Sequence, residues 1–357
     1  MIPAAVLGGT GYVAGELLRL LGGHPGFRLA AVVSRTQAGA PVTDRFQHLR
    51  GTALEEVAFS GEESLRDLVR ASPRLAVFSA LPHGEAAGRL DELLEEAAAA
   101  GCEARVVDLS ADFRHRDPAR YAALYGKPHA APARLSQFLC AVTEHVQGMP
   151  ASRHVAHPGC FTTAATLALV PLLAAGLIEP RATVVAVTGS TGAGGTPTPT
   201  THHPERRSAL FAYAAAGHRH EPEMRALAAA AAGNGHPAEP AIHFVPQSGP
   251  FARGIHATVS ARLARKVASE EVRNMVAAFY AASPGFVRVL PVPPRLQAVV
   301  GTNRCDLSFA TRDDELLAFA ALDNLVKGAA GGGVQWMNRL FGLPEATGLA
   351  LPGLGWL

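Results

Sequence analysis

Short apolar runs in the first third of the chain each stop at a turn signal, and stretches of helical period separate them. Residues 4–7 lead into Gly8-Gly9-Thr10-Gly11-Tyr12-Val13-Ala14-Gly15 and then Glu16-Leu17-Leu18-Arg19-Leu20-Leu21, a strand, glycine turn and helix. Further strands are predicted over 28–33, ending at Ser34-Arg35, over 75–80, ending at Leu81-Pro82-His83-Gly84, and over 105–109; residues 85–100 read as a helix. Apolar strands alternating with helices predict an α/β, Rossmann-like, doubly wound parallel sheet with right-handed crossovers, its ligand held by the loops at the strand C-termini.

From about residue 180 the pattern changes. Val184-Val185-Ala186-Val187 runs into Thr188-Gly189-Ser190-Thr191-Gly192-Ala193-Gly194-Gly195 and a Thr/Pro-rich loop over 196–204. Strand character over 242–246 and 254–261, with a helix over 269–282, predicts an α+β catalytic domain with a mainly antiparallel sheet. The expected division is a dinucleotide-binding domain over 1–156 and a catalytic and dimerisation domain over 157–323. Residues 324–357 are expected to pack back on the first domain, the helical stretch 322–341 carrying a flexible segment from Gly328 to Gly333.

The chain has 357 residues, enough for two domains and a sizeable core, and a formal charge of +2. It has no basic run with interleaved aromatics, so nucleic acid and anionic membrane are not expected partners. The longest apolar stretch, Ala164 to Ile178, is interrupted by Pro171 and is too short to span a bilayer. The N-terminus lacks a basic leader, and Cys102, Cys140, Cys160 and Cys305 lie far apart with no CxxC, so the expectation is a reducing, cytoplasmic setting with no metal site.

Four segments carry chemistry. In His157-Pro158-Gly159-Cys160-Phe161-Thr162-Thr163 a tight turn breaks into the apolar stretch, with Thr162 and Thr163 available to cap the helix; a thiol at a helix N-terminus is favoured as thiolate. Against this stands the usual fate of a cysteine, burial in the core. The glycine loop lets backbone approach a pyrophosphate, and Ser34 and Arg35 after the second strand offer donors to a 2′-phosphate, which points to NADP(H) over NAD. Gly217-His218-Arg219-His220-Glu221-Pro222-Glu223 brings two imidazoles and a guanidinium together, suited to acid/base work beside an anion or, equally, a solvated basic turn. The loop 202–207 is a second basic segment, equally ambiguous. Leu109-Ser110-Ala111-Asp112-Phe113-Arg114 follows a strand and is compatible with carboxylate binding or with an internally bonded loop.

The glycine loop, the Leu81-to-Gly84 turn, the Leu109-to-Arg114 string, the Pro158-Gly159-Cys160 turn, the Gly217-to-His220 string, Asp323-Asn324-Leu325-Val326-Lys327-Gly328 and the tail Met337-to-Leu349 occur in an order that resembles the N-acetyl-γ-glutamyl-phosphate reductases over nearly the whole chain. The resemblance implies reversible NADPH-dependent reduction of an acyl phosphate to a semialdehyde, in arginine biosynthesis, through a cysteine thioester. It implies Cys160 as nucleophile and His218 as catalytic base, with Arg114, His220 and Glu223 serving the substrate. Gly8, Thr10, Gly11, Tyr12, Val13, Ser34, Arg35, Pro82, Ser190, Gly192 and Asn324 are the implied cofactor residues, and a homodimer or tetramer is the implied assembly. His157 and Thr143 depart from the family pattern, where asparagine and proline are usual. The loop 201–206 also resembles reductases that act on aminoadipyl or glutamyl phosphate carried by a small acidic protein, which keeps that alternative substrate and partner open. A cysteine hydrolase and a dinucleotide-binding regulator are the other readings; the glycine loop disfavours the first, and the thiol with its histidine pair disfavours the second.

Overall fold

A computed structural model describes residues 1–214, 216–233, 239–283 and 285–355, which divide into two compact units. The first comprises Met1–Thr143, Gln147–His157 and Ala330–Ala350; the second comprises Glu144–Val146, Pro158–Ala329 and the segment from Leu351. The return to the first unit falls at Ala330, six residues after the boundary expected at 324, and Leu351 onward belongs to the second unit.

In chain order the first unit contains β1 (Ile2–Leu7), α1 (Tyr12–Leu21), β2 (Phe27–Val33), α2 (Val42–Arg45), α3 (Glu62–Ala71), β3 (Arg74–Ser79), α4 (Ala86–Ala100), β4 (Glu103–Asp108), α5 (Pro118–Tyr125), β5 (Phe138–Cys140) and β6 (His154–Ala156). Its sheet has the order β2-β1-β3-β4-β6-β5, parallel throughout. Strands β1 and β3 are buried along most of their length because helices cover both faces of such a sheet. The chain leaves β1 toward β2 on one side and later returns to β3 on the other, so the crevice lies at the carboxyl ends of β1 and β3. There the backbones nearly touch: a Cβ on Gly8, whose φ is +73°, would lie 2.6 Å from the Ala80 carbonyl oxygen.

The Leu109-to-Arg114 string proves to be a buried bracing loop. The Asp112 carboxylate accepts bonds from the Gly84 and Ala87 amides at the start of α4, at 2.6 and 3.0 Å, and from the Tyr121 hydroxyl at 3.2 Å. Asp108, fully buried, accepts from the amide and hydroxyl of Ser110; burial raises its carboxyl to about 6 against the lowering effect of the Ser110 and Ser79 bonds.

The second unit contains α6 (Cys160–Ala174), β7 (Ile178–Thr188), α7 (His203–Arg206), β8 (Phe211–Ala212), α8 (His220–Ala232), β9 (Ala241–Ser248), β10 (Ile255–Leu263), α9 (Ser269–Phe279), β11 (Val287–Val289), β12 (Cys305–Arg312) and β13 (Glu315–Leu322). Its seven strands run β11-β12-β13-β10-β7-β9-β8; the pairs β11–β12 and β7–β9 are parallel and the others antiparallel. Strict alternation of buried and half-buried positions along β10 shows that this sheet buries one face. On that face lies α6, apolar all round and accordingly buried from Phe161 to Leu173. Pro171 cannot donate to the Leu167 carbonyl one turn earlier, and the Tyr280 hydroxyl fills the gap at 2.8 Å.

After β13 a single π-turn over Val326–Ala330 leads into α10 (Gly331–Leu340). The expected flexible glycine segment is instead buried and helical. Its glycines serve close approach: a Cβ on Gly333 would meet the Leu109 side chain at 3.1 Å, and one on Gly328 would meet Cys160. Among the described residues no helix is long and apolar enough to cross a membrane.

Candidate active site

Cys160 is the first residue of α6, placed there by Gly159, whose extended backbone (φ −61°, ψ 151°) forms the N-cap without a side chain. The helix starts three to four residues earlier than a cap at Thr162 or Thr163 would place it. Thr162 and Thr163 therefore lie inside it and cannot cap; the Thr163 hydroxyl bonds back to the Gly159 carbonyl at 3.1 Å. The turn is held by Glu223 of α8, buried to 1 % exposure, whose Oε1 accepts the Gly159 amide at 2.6 Å. Gly159 is also a close-approach position, since a Cβ there would lie 2.4 Å from Nε2 of His220.

Cys160 is half-buried on the wall of a cavity of about 460 Å³ within the second unit. His218, Arg219 and His220 share that wall with Ser190, Gly192, Arg206 and Tyr213. Burial, then the Arg219 charge, pulls the His218 imidazole down to about 4, only partly offset by Glu223 and Glu221, so the ring is neutral near pH 7. Its Nδ1 accepts the backbone N–H of His220 at 3.1 Å, so the neutral ring carries its proton on Nε2 and presents an N–H donor there. Burial pushes the Tyr213 hydroxyl up to about 12, with proximity to Cys160 adding to the shift. Burial raises the thiols of Cys102 and, much further, Cys305.

The first unit has a separate cleft of about 210 Å³ at the crevice, lined by Gly8, Gly9, Thr10, Ser34, Arg35, Thr36 and Pro82. The N-terminus of α1 opens beside it with Gly11 as N-cap and no side-chain cap, so backbone N–H groups are left for an anion. A Cβ on Gly8 would press into the Ala80–Leu81 peptide, so glycine there lets the turn after β1 pack directly against the turn after β3. Arg35 reaches across the rim to Glu85 at 2.8 Å, both exposed. The glycine turn and the open N-terminus of α1 fit the pyrophosphate of a dinucleotide, with the Arg35 cation at the rim of the cleft.

Residues 3–138 match the profile described as the NAD-binding domain of semialdehyde dehydrogenases, and residues 160–324 match the semialdehyde dehydrogenase dimerisation domain. An N-acetyl-gamma-glutamyl-phosphate reductase of Alkalilimnicola ehrlichii is 39 % identical over 360 residues, covering 99 % of each chain. The chain belongs to the N-acetyl-γ-glutamyl-phosphate reductase family of semialdehyde dehydrogenases. A reductase of the same name from Methanosarcina barkeri is 36 % identical over 354 residues, again with 99 % of each chain covered. In fold, aspartate semialdehyde dehydrogenase II of Vibrio cholerae superposes with a TM-score of 0.67 over 96 % of this chain and 98 % of that one, at 16 % identity. The aspartate semialdehyde dehydrogenase of Candida albicans, solved with NADP, gives 0.63 over 96 % of this chain and 98 % of that one, at 17 % identity.

The residues expected from the sequence fall into four groups. Cys160, His218, His220, Ser190 and Gly192 line the larger cavity, while Gly8, Thr10, Ser34, Arg35 and Pro82 line the cleft of the first unit. Tyr12 and Val13 form the first turn of α1 behind Gly11. Glu223, Asn324 and Arg114 are held by their own units: Glu223 fixes the Gly159 turn, and Asn324, 2 % exposed, accepts the Gly254 amide at 2.7 Å and donates to Thr191 Oγ1 at 3.0 Å. Arg114 donates to the His157 and Leu109 carbonyls at 2.9 and 3.1 Å.

Sequence reasoning missed Gly328, Tyr213 and the buried pair of Lys327 with Glu144, each of which depends on residues far apart in the chain. Gly328 entered the sequence reading only as the last residue of the Asp323-to-Gly328 string and as the start of a supposedly flexible segment, with no sign of its contact with Cys160.

Proposed function

We propose that the chain catalyses the reversible NADP(H)-dependent reduction of N-acetyl-γ-glutamyl phosphate to N-acetylglutamate 5-semialdehyde and phosphate, a step of arginine biosynthesis. The observation that carries this reading is the cavity in which a half-buried cysteine at a helix start meets two histidines and two arginines with no carboxylate on its lining. The Cys160 thiolate attacks the acyl carbon, the C–O bond to phosphate breaks with its electron pair, and a thioester results. When bound, the nicotinamide cofactor supplies the hydride that the reduction requires. In the thiohemiacetal that follows, the hydroxyl proton leaves as the C–S bond breaks, giving aldehyde and the thiolate again. That proton passes to water, and His218, whose Nδ1 accepts the His220 amide and whose own proton therefore sits on Nε2, donates from Nε2 to the substrate oxygen. His220 packs on the Gly159 turn and shapes the substrate side of the cavity. Glu223 holds the turn, and the buried Asn324 fixes the Thr191 loop against Gly254 beside Ser190 and Gly192.

In the first unit Gly8, Thr10 and the N-terminus of α1 at Gly11, Tyr12 and Val13 take the pyrophosphate, with Pro82 closing the cleft and Ser34 and Arg35 taking the 2′-phosphate. Arg114 is assigned to the substrate by its match to the family string alone.

Copies of the chain are proposed to pair through the second unit's open sheet face. That face carries half-exposed Val185, Thr258 and Phe319 in register across β7, β10 and β13, with exposed Leu317 beside Phe319, among polar positions such as Thr183 and Ser260. An acidic carrier protein and a carrier-linked acyl phosphate form the second reading, favoured only by the basic 202–207 loop, which is exposed except at Arg206. Comparing turnover of free N-acetylglutamate semialdehyde with carrier-linked glutamyl or aminoadipyl semialdehyde decides between them. The proposal expects the free substrate to win by orders of magnitude, and a preference for the linked one contradicts it.

A further inference from the structure

Arg206 is one of the most buried cations in the second unit. It is 7 % exposed at the end of the short helix α7, yet it lines the same cavity as Cys160. Its guanidinium donates to two backbone carbonyls, through Nη1 to Ala209 at 3.0 Å and through Nη2 to Gly249. The Phe211 ring lies 5.8 Å from its centre. A guanidinium carries five N–H donors, so two carbonyls do not exhaust it. Among the described residues no carboxylate pairs with it, and burial lowers its pKa, the mark of a cation taken out of water without an anion in exchange.

Among the described residues the surroundings offer Arg206 no protein carboxylate. No aspartate or glutamate lines the cavity. The two acids that begin α8 are engaged elsewhere: Glu221 accepts the Phe244 amide at 2.9 Å and pairs with Arg225, and Glu223 holds the Gly159 turn. Glu205, next to Arg206 in sequence, is exposed. Arg219 also lines the cavity but is solvent-exposed, where an ion pair is weak. A buried guanidinium already fixed by carbonyls and an aromatic face binds a planar carboxylate with strong, charge-assisted bonds and with little ordering left to do.

We infer that Arg206 receives the substrate carboxylate remote from the reacting carbon, and so selects acyl phosphates of dicarboxylates over those of monocarboxylates. The inference rests on the reaction proposed above and adds a specificity-determining residue to it. It is not needed for the chemistry at Cys160, and this separates its test from the test of the reaction.

The test compares kcat/KM for N-acetylglutamate semialdehyde with kcat/KM for its α-carboxamide, using NADP and phosphate, in wild type and in the Arg206→Met, Arg206→Lys and Arg219→Met variants. A charge-assisted, desolvated bond corresponds to a preference for the carboxylate of roughly 10- to 100-fold in wild type. Arg206→Met should bring that ratio close to one, Arg206→Lys should keep part of it, and Arg219→Met should leave it largely intact. If Arg206→Met slows both substrates equally and preserves the ratio, Arg206 only anchors its loop to the Gly249 turn and the inference fails. It fails equally if the ratio persists while KM for phosphate rises, which would make Arg206 a phosphate ligand, or if Arg219→Met is the variant that collapses it. Should every Arg206 variant misfold, the wild-type ratio still decides, because a wild type indifferent to the carboxamide has no such site. Wild-type turnover of neither substrate removes the reaction and the Arg206 assignment together.

Discussion

Gly328 is the position where a single methyl group should do most damage to the proposed chemistry. A Cβ built there lies 2.6 Å from the Cβ and 3.1 Å from the Cα of Cys160. Carbon atoms rest at about 3.5–4.0 Å, so alanine forces a separation of roughly 1 Å. Neither side yields easily. Cys160 begins a helix buried on all sides, while the turn bearing Gly328 is pinned by Asp323, whose carboxylate accepts the Leu325, Val326 and Gly301 amides at 2.8, 3.1 and 2.7 Å. Overpacking of this kind costs about 1–3 kcal/mol of stability, and a misplacement of about 1 Å at a reacting atom costs on the order of 100-fold in rate. Gly328→Ala should therefore remain folded, with a urea midpoint lowered by that cost, and lose about two orders of magnitude in kcat. Gly23→Ala is the control, because a Cβ there meets nothing within 4 Å. A Gly328→Ala protein with kcat within about twofold of wild type would show that Cys160 need not sit where the packing holds it.

Glu223→Leu leaves the buried Gly159 amide without its acceptor and should cost about 1–3 kcal/mol by chemical denaturation, whereas Glu223→Gln, which keeps an acceptor oxygen, should recover most of it. Acid stability follows from His145, His154 and His218, each held near 4 chiefly by burial. Because these folded-state values lie below the unfolded value near 6.5, their stabilising effect is complete above pH 6.5 and lost as pH falls toward 4; urea midpoints measured from pH 7.5 to 4.5 should decline, and a flat profile would contradict the burial. Arg35→Ala should raise KM for NADP several-fold while leaving KM for NAD nearly unchanged, and an equal effect on both would show that Arg35 does not read the 2′-phosphate.

Much of the fold was legible because its elements announce themselves locally. The apolar runs of β1 to β4 are bounded by glycine, serine and proline, and the alternating pattern of β10 reads directly as a sheet with one buried face. The start of α6 was misjudged because Thr162 and Thr163 are good caps in general, whereas this N-terminus is closed by a carboxylate 64 residues away. The glycines from 328 to 333 likewise look like slack in sequence and are contact points in space, a distinction that only the packing of Cys160 and Leu109 reveals. At the site, Cys160 was picked out by the tight turn before an apolar stretch and His218 and His220 by the density of imidazoles after Gly217, and all three line the larger cavity. Arg206 was seen only as part of an ambiguous basic loop, since its burial and its place on the cavity wall depend on the Gly249 turn of a later strand.

The central claim is that Cys160 carries the acyl group, and acyl-enzyme trapping tests it most directly. Wild-type protein given N-acetyl-γ-glutamyl phosphate without reduced cofactor, quenched in acid and mapped by peptide mass spectrometry, should carry a single acyl adduct on the peptide containing Cys160, discharged by adding NADPH. Cys160→Ser should form no thioester and reduce nothing. An adduct on Cys102, Cys140 or Cys305, or a Cys160→Ser protein that still produces the semialdehyde at the wild-type rate, would contradict the account.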